Sequence, residues 1–122
     1  MQLKMDSEKP IFLQFAEELE DDILRGIFEE ESQIPSTTEV AIKLKMNPAT
    51  ANRGVNLLVD EGIIYKKRGI GMFVASGARE KIIIKRRAAF YNNYVLPLVK
   101  ESKKLNLTKD EVTRMIERGY DK

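Results

Sequence analysis

The architecture of this chain is set by one continuous segment, residues 34–75, which reads IPSTTEVAIKLKMNPATANRGVNLLVDEGIIYKKRGIGMFVA. Near its start, Ser36 and Glu39 have the spacing of a capping box, in which each side chain accepts a hydrogen bond from the other residue's backbone N–H. Because such a pair marks where a helix begins, the pattern predicts a short helix over residues 37–44.

A second helix follows the turn at residues 45–48. Asn47 is a suitable N-cap and Pro48 a suitable first helical residue, so the pattern predicts a helix over 48–61. Two helices joined by so short a turn indicate a helix-turn-helix, but the turn length alone also fits an ordinary helical hairpin.

The residues after the second helix favour the helix-turn-helix. Residues 63–67 and 72–75 are predicted to form two strands, and the turn between them, 68–71, contains two glycines. A β-hairpin directly after a helix-turn-helix makes a winged helix. The glycines allow the tip of this wing to approach another backbone closely.

The flanking segments are predicted to be helical. Residues 10–25 place five apolar residues on one stripe, and residues 79–104 continue as a helix with a break at Pro97. Thr108 and Glu111 form a second capping box, which begins a final helix of about ten residues. We expect the core of the winged domain to contain Phe12, Leu19, Ile23, Val40, Val55, Leu58, Ile64 and Phe73.

The later helices carry a coiled-coil-like seam that one chain cannot bury. Its members are Ile84, Ala88, Tyr91, Val95 and Leu98. The predicted fold class is therefore mainly α with a small β-hairpin. A winged helix-turn-helix domain occupies residues 1–76, and a short two-helix dimerisation segment occupies residues 77–122.

Composition excludes most catalytic chemistry. The 122 residues contain neither Cys nor His, so the chain lacks a thiol nucleophile and also the commonest general base and metal ligand. We therefore expect no enzyme activity and no cofactor. The N-terminus has no apolar signal-peptide core, and no segment approaches the ~20 apolar residues of a membrane span. These features predict a cytoplasmic protein without a membrane partner.

Charge is distributed unevenly along the chain. Residues 1–31 carry 3 Lys/Arg against 10 Asp/Glu, residues 32–75 carry 6 against 3, and residues 76–122 carry 12 against 6. This asymmetry is consistent with a polyanionic partner that faces the later segments, although charged faces are also commonly just solvated.

Several dispersed motifs resemble the DNA-binding domain of the GntR family of bacterial transcription regulators, over roughly residues 9–75. They are the leading helix PIFLQFAEELEDDILRGIF, Ile34-Pro35-Ser36, Asn47-Pro48-Ala49-Thr50, the residues Leu57, Glu61, Gly62 and Ile63, and the wing Arg68-Gly69-Ile70-Gly71-Met72-Phe73-Val74. The tail, notably LNLTKDEV at 105–112, resembles the YtrA-like branch. The resemblance implies dimerisation through the tail helices and regulation of transporter operons. Many family members have Arg where this chain has Thr38, Pro48 or Asn52, and Pro-Gly where it has Glu30-Glu31.

Together, the residues and the resemblance predict a DNA-binding surface. Its candidates are Ser36, Thr38, Asn47, Ala49, Thr50, Asn52, Arg53, Lys66, Lys67, Arg68 and Gly69. Ala49 is small enough to meet a thymine methyl, and Asn52 can bond adenine in bidentate fashion, unless it is only a solvated polar residue. Ser36 and Asn47 are helix caps that can also contact DNA. Lys66, Lys67 and Arg68 would bind phosphates, with Arg68 and Gly69 entering the minor groove.

The sequence thus predicts a homodimeric, sequence-specific transcription regulator, a repressor that binds a near-palindromic double-stranded operator. The alternative is a winged helix that serves as a protein-interaction module. The operator sequence and any small-molecule effector are not specified by the sequence.

Overall fold

The structure, a computed structural model, describes residues 3–4 and 8–122 and divides the chain into two compact units, 1–83 and 84–122. In the first unit, the elements are α1 (Ile11–Leu24), β1 (Gln33–Ile34), α2 (Thr37–Leu44), α3 (Pro48–Asp60), β2 (Ile64–Lys67) and β3 (Gly71–Val74). Helix α4 (Ala78–Phe90) begins in the first unit and continues into the second. A π-helical turn (Tyr91–Val95), α5 (Leu96–Lys104) and α6 (Lys109–Tyr120) follow it.

Both helices of the helix-turn-helix begin at the caps that the sequence predicted. Ser36 Oγ accepts a hydrogen bond from the Glu39 N–H at 3.1 Å, and Glu39 Oε1 accepts one from the Ser36 N–H at 3.3 Å. Asn47 Oδ1 accepts from the Ala49 N–H at 2.8 Å. Helix starts fixed by local side chains explain why their positions could be predicted from the sequence.

The wing contains three antiparallel strands in the order β1-β3-β2, one more than the predicted hairpin. The short strand β1 pairs with β3, with Gln33 opposite Phe73 and Ile34 opposite Met72. The sheet is a small addition to a mainly helical chain, so the predicted fold class is confirmed with one further strand.

The core lies between α1, α2, α3, the wing and the first turns of α4. Leu19, Ile23, Val55, Leu58 and Ile64 are buried as predicted, whereas Phe12 and Val40 are only partly buried. Phe73 was wrongly placed in the core. Because side chains alternate along a strand, its neighbours Met72 and Val74 point into the core and Phe73 lies on the opposite face of the sheet.

The first turns of α4 belong to the winged unit. Ala78 and Ile82 are fully buried in its core, and the first compact unit extends to Ile83. The carboxylate of Glu30 accepts hydrogen bonds from the N–H groups of Gly77 at 2.9 Å and Arg79 at 3.1 Å. Glu30 therefore caps a helix that begins almost fifty residues later in the chain.

Two side chains of α4 attach it to the ends of other helices. Arg79 Nη1 donates to the Leu24 carbonyl, and Lys81 Nζ donates to the Gly62 carbonyl at 3.2 Å. Leu24 ends α1 and Gly62 follows the end of α3, so both bonds satisfy carbonyls near helix C-termini. These contacts fix the start of α4 on the winged unit.

In the second unit, the predicted long helix is interrupted by the π-helical turn, and Pro97 lies at the start of α5. The predicted capping box is present, because Thr108 Oγ1 accepts from the Glu111 N–H at 3.1 Å and Glu111 Oε1 accepts from the Thr108 N–H at 3.0 Å. Among the described residues, no helix is both long and apolar enough to cross a membrane.

Candidate nucleic-acid interface

Helix α3 buries one face and exposes the other. Ala51, Gly54 and Val55 are buried in the core, whereas Asn52 and Arg53 are exposed. The predicted contact residues on α3 and its cap thus share the outward side of one helix end. These are Asn47, Ala49, Thr50, Asn52 and Arg53, of which only Thr50 is partly buried.

Arg53 is held by an aromatic ring of α1. Its guanidinium carbon lies 3.8 Å from the centroid of the Phe12 ring, which is a cation–π contact. Stacking of this kind occupies the face of the guanidinium and leaves its N–H groups at the edge free to donate hydrogen bonds. Arg53 is therefore pre-oriented on the protein surface.

A second group of predicted residues surrounds a groove of about 550 Å³ between the N-terminus of α2 and the wing. The predicted residues that line it are Ser36, Thr38, Lys66, Lys67, Arg68 and Gly69. The structure thus places the eleven predicted DNA contacts in two sets, one in this groove and one at the start of α3.

The turn of the wing is closed by backbone and side-chain hydrogen bonds. The Ile70 N–H donates to the Lys67 carbonyl at 2.9 Å, and Gln33 Nε2 donates to the Ile70 carbonyl at 3.1 Å. Gly69 has a φ of +77°, in the left-handed region that favours glycine. A Cβ at Gly69 would have no heavy atom of the described residues within 4 Å beyond its chain neighbours, but a side chain there would strain this turn.

The two lysines of the wing project from opposite faces of the sheet. Lys66 Nζ donates to Asn56 Oδ1 of α3 at 2.8 Å, whereas Lys67 Nζ lies 4.6 Å from the ring centroid of Phe73. Phe73 in turn stacks on Tyr65, with their centroids 5.6 Å apart. Lys66 therefore joins the wing to α3, and Lys67 belongs to an aromatic face.

Two ionisable groups near the wing have shifted pKa values. Partial burial raises the pKa of Tyr65 above 10.0, and the carboxylate of Glu31, which accepts a hydrogen bond from the Tyr65 hydroxyl at 3.4 Å, raises it further. The N–H groups of Gly77 and Arg79 lower the pKa of Glu30 below 4.5. Tyr65 is therefore neutral and Glu30 ionised at neutral pH.

Sequence reasoning missed Asn56, Gln33 and Ile70. Asn56 lies four residues after Asn52 and so on the same helix face, a spacing that could have indicated it. Gln33 has no local signal, because its hydrogen bond to the Ile70 carbonyl depends on the pairing of β1 with β3. The glycines on either side of Ile70 are a local signal that could have indicated it. In the described part of the chain, no group of three or more His, Cys, Asp or Glu residues could hold a metal ion.

Comparison with known proteins agrees with a helix-turn-helix followed by a wing. The family model for bacterial regulatory proteins of the gntR family matches residues 13–74. The uncharacterized HTH-type transcriptional regulator YhcF of Bacillus subtilis is 32% identical over 112 residues, which cover 92% of this chain and 91% of YhcF.

Two further similarities concern the YtrA-like branch and the fold. The HTH-type transcriptional repressor YtrA of Bacillus subtilis is 29% identical over 83 residues, 68% of this chain and 64% of YtrA. A solved GntR family transcriptional regulator from Listeria monocytogenes is 25% identical with a TM-score of 0.73, over 93% of this chain and 98% of that one.

These matches confirm the resemblance drawn from the sequence. They also confirm that the chain is not an enzyme, because its relatives are transcriptional regulators. With its exposed α3, its cap residues and its wing, the chain belongs to the GntR family of bacterial regulatory proteins, as a transcriptional regulator with a DNA-binding winged helix.

Proposed function

We propose that this regulator is a repressor that binds a near-palindromic operator as a homodimer. The observation that carries the proposal is that the winged unit combines an exposed start of α3 with a groove that contains cationic side chains of the wing. A recognition helix reads base edges with its N-terminal residues, and flanking cations bind the phosphates on either side.

On α3, the exposed side chains fit the major groove. Ala49 offers a methyl group to a thymine methyl, and Asn52 offers the donor and acceptor that match adenine N7 and N6. Arg53, oriented by Phe12, donates to a phosphate or to guanine. We assign base reading to Asn52 and Ala49. Arg53 makes the largest charged contribution of these residues to DNA affinity in this proposal.

In the groove, the start of α2 fits a phosphate. Unpaired backbone N–H groups and the helix dipole favour an anion at such an end. Ser36 accepts from the Glu39 N–H, and its own hydroxyl hydrogen is available to a phosphate oxygen. Glu39 also lines the groove, but its carboxylate accepts a hydrogen bond from the Ser36 N–H.

The homodimer is supported by apolar surface on the second unit. Three residues of the predicted seam are exposed in the single chain, namely Ile84 at 60%, Tyr91 at 58% and Leu98 at 42%. Ala88 is also exposed, and Val95 is partly buried. Contiguous exposed apolar residues indicate an interface, and a second copy of the chain covers this one in our proposal. Two recognition helices would then lie ~34 Å apart, one turn of DNA.

Footprinting of the full-length chain on the DNA upstream of its own coding region tests operator binding. We expect a protected site with two related half-sites, and an affinity that falls steeply as salt rises. Arg53→Ala should weaken binding, whereas Arg25→Ala, an exposed arginine outside both residue sets, should not. A protected DNA site without two related half-sites, or an affinity for DNA that does not change with salt, would favour a protein-interaction module instead.

A reporter experiment tests the sign of regulation. A promoter that overlaps the footprinted site should lose expression when the chain is present and recover it when the chain carries Arg53→Ala. The name of YtrA as a transcriptional repressor supports this direction. Increased expression from the same promoter would make the chain an activator.

A further inference from the structure

An isoleucine occupies the tip of the wing, where solvent-exposed turns usually carry polar residues. Ile70 lies between Gly69 and Gly71 and is 65% exposed, and it lines the groove together with Arg68 and the other cations. Among the described residues, Ile70 belongs neither to the core nor to the partly buried apolar side chains packed against it.

The backbone of Ile70 is fixed on both sides. Its N–H donates to the Lys67 carbonyl at 2.9 Å, and its carbonyl accepts from Gln33 Nε2 at 3.1 Å. A Cβ at Gly71 would push aside the amide end of the Gln33 side chain that makes this contact. Since the backbone is held and the side chain is β-branched, little conformational entropy is lost when Ile70 packs against a surface.

The chemistry of the side chain selects among base pairs. In the minor groove, A·T pairs present only acceptors, whereas a G·C pair adds the N2 amino donor of guanine. An aliphatic side chain cannot accept a hydrogen bond from that amino group, and burying the group unpaired is costly. The cations beside Ile70 act in the same direction, because narrow A·T-rich minor grooves are more negative and attract Arg and Lys.

We propose that Ile70 is a specificity-determining residue, which packs on the floor of the minor groove and favours A·T over G·C beneath the wing tip. The proposal rests on the proposed function, because it requires that the winged unit binds duplex DNA. It adds a source of sequence preference that is independent of α3.

Base analogues test this preference with the full-length chain. The probe is a duplex that the chain recovers from a random-sequence library, substituted one base pair at a time. At the wing position, G·C and 2,6-diaminopurine·T, which both carry an N2 amino group, should weaken binding by about five- to tenfold. Hypoxanthine·C, which lacks the amino group but keeps the major-groove pattern of G·C, should bind like A·T.

A variant links the preference to the side chain. Ile70→Gln, whose amide oxygen can accept from the amino group, should reduce the penalty to within about twofold. The matched control is Ile27→Gln, an exposed isoleucine outside the groove, which should keep the full penalty.

Two results would overturn the assignment of Ile70. One is that hypoxanthine·C is penalised as strongly as G·C at every position, and the other is that Ile70→Gln retains the full preference. Recovery of no duplex from the library would instead refute the proposed function, and this proposal with it, before any base is changed.

Discussion

The contact between α1 and α3 predicts a specific response to the substitution Gly54→Ala. A Cβ built on Gly54 lies 2.8 Å from the Phe12 carbonyl oxygen and 2.8 Å from Phe15 Cδ2. The first atom is backbone and the second belongs to a fully buried ring, so neither can yield without moving a helix. Alanine should therefore push α3 away from α1.

Two opposing effects determine how much Gly54→Ala changes the free energy of unfolding. Replacing glycine by alanine within a helix stabilises by roughly 0.5–1 kcal/mol. Overpacking of a close-packed core costs roughly 1–3 kcal/mol. Their sum is a net loss of about 1 kcal/mol of unfolding free energy, which corresponds to a fall in Tm of about 4–8 °C for a domain of this size.

Urea unfolding and thermal unfolding followed by circular dichroism measure the loss. Gly119→Ala is the control, because Gly119 is also helical but a Cβ there meets no atom within 4 Å. The control should leave the unfolding free energy unchanged or raise it. If Gly54→Ala is as stable as the unchanged chain, the close approach of the two helices is not what requires glycine at this position.

Four further substitutions test the interface, the dimer and the capping carboxylate. Asn52→Ala should lower discrimination at one operator position by roughly 1–3 kcal/mol in competition titrations against single-base variants, and unchanged preference would remove Asn52 from base reading. Tyr91→Asp or Leu98→Asp should halve the mass in sedimentation, because each places an unpaired charge in the seam, and a persistent dimer would assign the seam another role. Because the pKa of Glu30 is lowered in the folded state, its stabilisation is present above pH 4.5 and is lost as pH falls through the folded pKa. Glu30→Gln should therefore be less stable than the unchanged chain at neutral pH in urea titrations, with the difference shrinking below pH 4.5, and a constant difference across this range would contradict the role of the charge.

Where the sequence carries local signals, prediction and structure agree. The starts of α2, α3 and α6 follow from cap residues within three positions of the helix, and the turn of the wing follows from Gly69. The outward side of α3 follows from helical periodicity once the helix is placed. These features depend on neighbours in the chain and need no knowledge of the tertiary fold.

The features that were missed depend on distant partners. Strand β1 has two residues and exists only because β3 is beside it, so no period-2 pattern indicates it. Phe73 was misplaced because in a four-residue strand a shift of one position exchanges the two faces. Glu30 is an acidic residue in a loop by sequence, and only the fold brings it to Gly77.

One departure from the family pattern has a physical account in the structure. Glu31, where the resemblance to the family led us to expect glycine, adopts a φ of +70° in the left-handed region, which costs a residue with a side chain roughly 1–2 kcal/mol. Its carboxylate accepts a hydrogen bond from the Tyr65 hydroxyl at 3.4 Å, and its N–H donates to the Val74 carbonyl at 2.8 Å. These bonds offset part of the backbone strain at Glu31.

The capping bonds of Ser36 and Asn47 have a consequence for how this regulator can diverge in evolution. Each cap holds the start of a helix, and its loss costs roughly 1 kcal/mol of folding stability. Mutations of Ser36 and Asn47 are therefore selected against for their effect on folding, whatever they do to the DNA sequence that is bound. Ala49 and Asn52, by contrast, are exposed residues of α3. If Ala49 and Asn52 read bases as we propose, duplicated copies of this gene can acquire new target sequences by substitution at those two positions, while the caps stay fixed.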